Sequence, residues 1–336
     1  MKYKFAHLAD VHWRGLTRHS EYRRSFEDAF AKMREAEVDA IFVVGDIVHS
    51  KTQGISPELI DNLSWWFREL NSVADTFITL GNHDGLILNK DRQDAISPIV
   101  SALNLPRLHL IKESTVVEYA LHKPGMPHIN LVNFSCFDEE SWADLCVPKD
   151  GINIALYHGA VFGSLTDSDW ELDGEIEHSF FSGYPGSTIQ QNFGEDPGKG
   201  FMIWEIRSKD DYESYHIPIL HDRPFVTVDW QGNVPATVDI ADEHPDLARF
   251  RIRTATAISQ GEIKQLYASL KEFKKASEIV MKHDTMRSPL FAESLGRDPT
   301  QDFRDPNTVA KIIVQYFEKA GLSDRMNERL VDLVHT

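Results

Sequence analysis

The sequence predicts a layered α/β fold, and three observations predict it. Short apolar runs of strand length recur through the first half of the chain, with helix-period segments between them. The run Ala-Ile-Phe-Val-Val at 40–44 has no polar residue, as a strand buried on both faces requires. Several runs also end abruptly in Asp, His, Asn and Gly, which puts polar groups at a sheet's carboxyl edge.

Taken in order, Lys4–Ala9 reads as the first strand. Phe26, Phe30 and Met33 fall at helical spacing, which predicts a helix over Glu21–Ala36. Ala40–Val44 is the second strand, and Pro57 opens a helix that carries Leu59, Leu63, Trp66 and Leu70. Phe77–Leu80 is the third strand, and Ala95–Leu103 is expected to be helical. Strands then follow at Leu108–Ile111, Thr115–Tyr119, Asn130–Phe134 and Ile152–Tyr157. From Thr166 to Gly200 the chain is polar and turn-rich, and Phe201–Ile206 returns to a strand. Asp222-Arg223-Pro224 reads as a boundary. Beyond it, Phe225–Trp230, Arg249–Thr254, a helix near Glu262–Phe273 and the strand Ser277–Met281 predict a small second domain. A Pro-, Asp-, Arg- and Gly-rich linker leads to an amphipathic helical stretch broken at Gly321. The expected organisation is a domain at 1–222, a capping domain at 223–284, a linker at 285–307 and a helical region at 308–336.

Composition narrows the function. With 336 residues the chain accommodates roughly two domains. At 42% hydrophobic and 26% charged it reads as soluble and globular. No apolar run approaches the ~20 residues of a membrane span, and the first ten residues lack the apolar stretch of a signal peptide. A cytoplasmic protein with no membrane association is expected. Cys136 and Cys146 suggest neither a disulfide framework nor a thiolate zinc site. A net charge of −17 argues against a protein that simply coats nucleic acid, but not against one that reaches DNA through metal ions. From Arg249 to Arg287 there are nine Lys or Arg against four Asp or Glu. Solvated element faces and a phosphate-binding patch are both open readings of that stretch.

Four strand ends carry related decorations. The first ends in Asp10-Val11-His12, the second in Gly45-Asp46-Ile47-Val48-His49, the third in Gly81-Asn82-His83-Asp84, and Ile152–Tyr157 in His158-Gly159. Neighbouring carboxyl ends converge, so these groups can share one site. Carboxylate, imidazole and amide oxygen suit a divalent transition metal. A carboxylate between two ions, with further ligands on each side, makes a two-metal centre.

DVH, GDIVHS, GNHDG and YHG, in this order, resemble the calcineurin-like binuclear metallophosphoesterases. Within them the chain is similar to the SbcD-type nucleases, partners of SMC-like ATPases in double-strand-break repair. The segment Pro185-Gly186-Ser187-Thr188, with Asn192-Phe193-Gly194-Glu195 and Lys199-Gly200-Phe201, resembles the stretch that closes that family's catalytic domain. The smaller second domain and the terminal helices also match its layout. The Asn-His-Asp form differs from the Asn-His-Glu of Ser/Thr phosphatases. The resemblance implies a sandwich of two β-sheets flanked by helices, with a smaller α+β capping domain. It implies two divalent ions, Mn2+ first and Mg2+ as the alternative. Asp10 and His12 would hold one ion, Asn82 and His158 the other, and Asp46 both. His83 would face the scissile phosphate, with Asp84 orienting His83 or a ligand. The expected activity is exonuclease or endonuclease cleavage of DNA in recombination, repair or end processing. The expected partners are DNA, an SbcC-type ATPase docked on the terminal helices, and a second copy of the chain within a heterotetramer. A prokaryotic or phage-infected cell is the expected setting.

One departure matters. The family draws two more histidines from a Gly-His-x-His turn before the Pro-Gly-Ser segment. Here His178-Ser179-Phe180-Phe181-Ser182-Gly183-Tyr184 runs straight into Pro185. A missing stretch, a natural variant with a weakened site, and His178 as a substitute are three open accounts, of which the first is preferred. A non-catalytic subunit that positions DNA or regulates the ATPase is the alternative function, and a phosphoesterase acting on nucleotides or phosphoproteins is another. For DNA contact the candidates are Trp13, Arg14 and His49 near the site and Arg251, Arg253, Lys274 and Lys275 in the basic stretch. His7, and at least one of Trp65 and Trp66, are expected in the core.

Overall fold

The computed structural model describes residues 1–49, 55–87, 89, 92–159 and 185–283. Four parallel strands form its centre: β1 (Tyr3–Leu8), β2 (Ala40–Val44), β3 (Asp75–Thr79) and β4 (Leu108–Ile111). Two later strands, β8 (Gly200–Ile206) and β9 (Tyr212–Pro218), extend the sheet antiparallel beyond β1, giving the order β4-β3-β2-β1-β8-β9. A second sheet holds β5 (Thr115–Leu121), β6 (Ile129–Phe134) and β7 (Ile152–Tyr157), in the order β5-β6-β7. Parallel pairing brings the carboxyl ends of β1, β2 and β3 to one edge, and the polar motifs sit there.

One face of the large sheet is covered by α1 (His19–Glu35), α2 (Pro57–Val73) and α3 (Ser97–Leu103). The helices bury Tyr22, Phe26, Phe30 and Met33 from α1 and Leu63, Trp66, Phe67 and Leu70 from α2 against Ile41, Val43 and Ile78. The Ser56 side chain caps α2 by accepting the Leu59 N–H at 3.1 Å, with Pro57 opening the helix. On the opposite face Phe5, Phe42 and Phe77 join Ile129, Leu131, Ile152 and Leu156 of the smaller sheet in a second core. Every residue of β2 is buried, as a strand between two apolar layers must be. The chain is thus a sandwich of sheets flanked by helices, the fold class expected from the sequence. Trp66 is in the core, Trp65 packs partly against it, and His7 is half-buried.

Contacts divide the chain into two compact units, Met1–Val226 with His244–Arg249, and Thr227–Glu243 with the chain from Phe250 onward. The second contains α4 (Val234–Asp242) and α5 (Gln260–Phe273), with a three-stranded sheet of β10 (Phe225–Asp229), β11 (Arg249–Thr254) and β12 (Glu278–His283). A capping box of Ser259 and Glu262 starts α5. The linker at 285–307, the helical stretch at 308–336, His178 and Tyr184 lie outside the described residues. Two elements have no counterpart in the sequence reading. β9 is an edge strand with mostly exposed side chains, so it shows no apolar alternation. α4 is short and rich in β-branched residues, and Asn233 starts it by accepting the Ala236 N–H. No helix among the described residues is long and apolar enough to cross a membrane.

Candidate metal centre

Backbone hydrogen bonds zip the turns after β1, β2 and β3 together. Asp10 N–H donates to the Gly45 carbonyl (3.2 Å), His12 N–H to Asp46 (2.9 Å), Trp13 N–H to Ile47 (2.8 Å), and Gly45 N–H to Thr79 (3.1 Å). Asp10, His12 and Asp46 all take left-handed backbone, with φ of 48°, 54° and 51°. Asp and His are among the residues that tolerate this region, yet three in one mouth is local strain held by the surrounding structure. Gly45 and Gly81 are required for another reason. A Cβ on Gly45 would lie 2.2 Å from the His158 ring, and one on Gly81 would lie 2.3 Å from the Asp46 carboxylate. These glycines let His158 and Asp46 approach the neighbouring backbone.

Asp46 sits in the middle of the cluster and is buried. Its Oδ1 accepts the His83 N–H at 2.8 Å and lies 3.3 Å from His158 Nε2. Its Oδ2 is 3.8 Å from His12 Nε2 and 3.9 Å from His83 Nε2, and His12 Nε2 is 3.6 Å from Asp10 Oδ1. Two histidines have their tautomer set by the backbone. His158 Nδ1 donates to the Val44 carbonyl at 2.9 Å, and His83 Nδ1 to the His49 carbonyl at 2.6 Å. In both, the Nε2 lone pair is left facing the carboxylates, the arrangement that orients imidazole for a metal.

Two overlapping groups have ligand atoms close enough to hold an ion: Asp10, Asp46 and His158, and His12, Asp46 and His83. Asp46 belongs to both, as a bridging carboxylate must. Asp10 and His12, expected to share an ion, stand 3.6 Å apart (Oδ1 to Nε2), and each of the two groups contains one of them. His83 lies within ligand reach of the second group as well as facing solvent, with 41% of its side chain exposed. Asn82 lies on the same turn and is exposed. Asp84 is fully buried, and its oxygens accept the Gly81 N–H (2.8 Å) and the Val48 N–H (3.0 Å). It therefore ties the second turn to the third, while the His49 carbonyl is what orients His83.

The electrostatics suit cations. Burial works against a charged His158, but the hydrogen bond and charge of Asp46 outweigh it and raise its pKa to about 9. The His12 pKa is likewise raised: burial opposes, while its hydrogen bond to Asp10 and the charges of Asp46 and Asp10 prevail. Burial also works against ionised Asp46, yet His158 and the His83 N–H hold its pKa below the usual range. Burial lifts Asp84 to about 7. Two carboxylates and three imidazoles with pre-set tautomers in a glycine-lined mouth fit divalent metals.

Residues 3–197, more than half of the chain, match the calcineurin-like phosphoesterase family. The chain belongs to that family. This phosphoesterase is also 28% identical to an uncharacterized protein of Acanthamoeba polyphaga mimivirus over 363 aligned positions, which cover 97% of this chain and 26% of the viral protein. The chain spans about a quarter of the length of that relative. Every residue of the cluster lies within the stretch that matches the family.

The residues expected to meet DNA fare unequally. Trp13 is fully buried, stacked on Tyr22 (4.7 Å between centroids) and Phe26 (5.7 Å), so it is core and cannot line a substrate path. Its place after His12 marks where the turn returns to the core under α1. Lys274 is also buried, with Nζ on Asp242 at 3.2 Å, and this corrects its expected surface role. Arg253 is exposed but forms a two-pronged pair with Asp229 (2.5 and 2.8 Å), and Arg251 donates to the Thr227 hydroxyl at 3.1 Å. Lys275 is exposed. Arg249, Arg253 and Lys274 all pair with acids outside the basic stretch, so three of its nine cations are neutralised within the fold. Arg14 and His49 do lie beside the cluster, half-buried.

One contribution was not singled out from the sequence. Thr188 donates from both its N–H and its hydroxyl to the Ala9 carbonyl, and Gln191 donates to the Val11 carbonyl and to the Tyr22 hydroxyl. The Pro-Gly-Ser-Thr segment thereby clamps the first metal turn. Its signal was the quoted motif, but motif resemblance alone says nothing of which backbone it holds.

Proposed function

We propose that this phosphoesterase is a two-metal DNA nuclease subunit, cleaving phosphodiester bonds with Mn2+, or with Mg2+ as the alternative. One observation carries the reading: four strand ends bring Asp10, His12, Asp46, His83 and His158 around a single buried carboxylate. DNA as substrate is supported by the Asn-His-Asp motif and by the 185–201 segment seated on the first metal turn. When bound, the ions supply Lewis acidity and an activated water at neutral pH. The chain's own groups do the rest. Asp46 would serve both ligand groups, with Asp10 and His158 in one and His12 in the other, and Asn82 would add a ligand from the third turn. His83, the most exposed histidine of the cluster, would face the phosphate with Nε2 and, when protonated there as well as at Nδ1, give that proton or a hydrogen bond to the departing oxygen. The second unit, residues 308–336 and a second copy of the chain would complete an assembly with an SMC-like ATPase.

A second reading, a non-catalytic subunit that positions DNA or regulates the ATPase, is favoured by one feature: the chain has no Gly-His-x-His motif. The alignment with the viral relative is longer than this chain, so that protein carries residues this one lacks. The deciding experiment is a manganese-dependent assay on linear duplex and single-stranded DNA, with and without the ATPase, beside a nucleotide and a phosphoprotein. Cleavage of DNA is expected. His83→Ala should lose about 10²–10⁴-fold in rate while keeping its Mn2+ affinity by calorimetry. DNA left intact while nucleotide is hydrolysed would sink the nuclease reading, and metal affinity collapsing in the variant would make His83 a ligand.

A further inference from the structure

We propose that Arg14 anchors a second phosphate of the substrate, beside the one being cleaved, and so makes the site select a polynucleotide over a mononucleotide. This rests on the nuclease reading above. Arg14 lies two residues after His12 of the first metal motif, and its side chain reaches His49 at the mouth. Nη1 meets His49 Nε2 at 3.2 Å and Nη2 donates to Gln191 Oε1 at 3.3 Å. Gln191 is held by the Tyr22 hydroxyl at 3.0 Å, so the guanidinium is fixed from both sides. His49 stands between Arg14 and the ligands, its ring 5.6 Å from His12 and 6.3 Å from His83. Arg14 thus lies one imidazole beyond the ring of metal ligands.

Two features point to an anion there. Both described partners of Arg14 are neutral, and no carboxylate pairs with it among the described residues. The other arginines near the mouth behave differently: Arg18 grips Glu21, and Arg23 grips Asp61. The chain carries a net charge of −17, yet this half-buried guanidinium beside the cluster has no acid among the described residues. Secondly, the donors next to it are unspent. An arginine can only donate, so His49 Nε2 must accept, and the imidazole proton sits on Nδ1. That Nδ1 and Arg14 Nε are both buried with no hydrogen-bond partner. Orphan buried donors cost stability unless something accepts from them. The guanidinium carries five N–H donors and its described partners take two, so others remain for the oxygens of a phosphate.

The test is binding, read apart from catalysis. A fluorescein-labelled single-stranded oligonucleotide is titrated with full-length protein in chelator, across a salt series, by fluorescence anisotropy. For Arg14→Gln the slope of log affinity against log salt should be shallower by about 0.7, the value of one single-strand phosphate contact. Between 50 and 200 mM salt the wild type should therefore lose about threefold more affinity than the variant. Arg14→Lys keeps the charge and should restore the slope. Equal slopes for wild type and Arg14→Gln would overturn the proposal, as would Arg14→Lys failing in step with Arg14→Gln, since that marks a purely structural role. Wild type that does not bind the oligonucleotide at all would take down the nuclease reading and this one together. Binding with unchanged slopes takes down this one alone.

Discussion

Two buried clusters of charge lie in the first unit, and they are built on opposite principles. At the start of α1, Glu21 receives four guanidinium hydrogen bonds: from Arg18 at 2.8 and 3.0 Å and from Arg249 at 2.7 and 3.1 Å. Both guanidinium groups also lie over the Phe225 ring, at 5.1 and 4.7 Å from its centroid. This cluster is closed around its acid: every carboxylate lone pair has a donor, and the two cations share the one carboxylate. At the strand ends, by contrast, Asp46 has one short hydrogen bond, and its imidazole neighbours stand 3.3–3.9 Å away. The contact with His158 is a long hydrogen bond, and those with His12 and His83, at 3.8 and 3.9 Å, are too long for any, so the acid is not saturated by its neighbours. A closed cluster holds a fold together, whereas an open one holds a place for something else. The difference can be broken by mutation.

The largest effect is expected at the open cluster. Asp46→Asn keeps the shape but removes the carboxylate common to both ligand groups. Mn2+ affinity by calorimetry should fall at least about 100-fold, more than is lost with outer-sphere partners, and hydrolysis should go with it. Stability of the metal-free protein should change by only about 1 kcal/mol, a typical point-mutant value. Retained metal affinity, or a variant that fails to fold, would mean that Asp46 is structural after all.

The closed cluster should respond the other way. Glu21→Ala leaves two buried guanidinium groups beside one aromatic ring without the carboxylate they share. Breaking a buried pair by removing one partner costs about 3–5 kcal/mol. Chemical denaturation should show that loss, while Mn2+ affinity of the folded protein stays near wild type. A loss below about 1 kcal/mol would show that water or a neighbouring group takes over from the carboxylate.

The same contrast explains what was legible in the sequence. The open cluster announced itself because its residues had no structural reason to sit at the ends of apolar strands, so Asp10, Asp46, His83 and His158 stood out one motif at a time. The closed cluster was silent. Glu21 and Arg249 are separated by 228 positions, and nothing local distinguishes them from surface residues. Trp13 and Lys274 misled for a related reason: an aromatic beside a ligand and a lysine in a basic run look exposed until the fold turns them inward. The sharing of ligands between the two groups was also hidden. Which imidazole meets which carboxylate depends on the left-handed turns at Asp10, His12 and Asp46, and on the room that Gly45 and Gly81 leave for His158. Element positions were readable wherever a strand or helix faced a core, and the exposed edge strand β9 was not.

The smallest expected effect is in the pH profile, where the two clusters should carry opposite signs. Burial works against an ionised Glu21, but its hydrogen bonds from Arg18 and Arg249 more than reverse this, so its folded pKa lies below the ordinary 4.5. The unfolded chain then binds more protons near that pH, and stability rises with pH there. Glu21's contribution is complete above the unfolded value and fades as pH falls through the folded one, with a slope of at most about 1.4 kcal/mol per pH unit. The stability gap between wild type and Glu21→Gln should therefore be flat at neutral pH and close on acidification. His158 runs the other way in chelated protein. Its pKa is raised from 6.5 to about 9, so its contribution is complete below 6.5 and is lost as pH climbs through about 9. Added Mn2+ should abolish the alkaline loss, because metal and proton compete for the same Nε2, and should leave the acid limb of Glu21 untouched. Denaturation curves in which both limbs shift together on adding metal would show that the two clusters are coupled, and that the division between a closed and an open one is false.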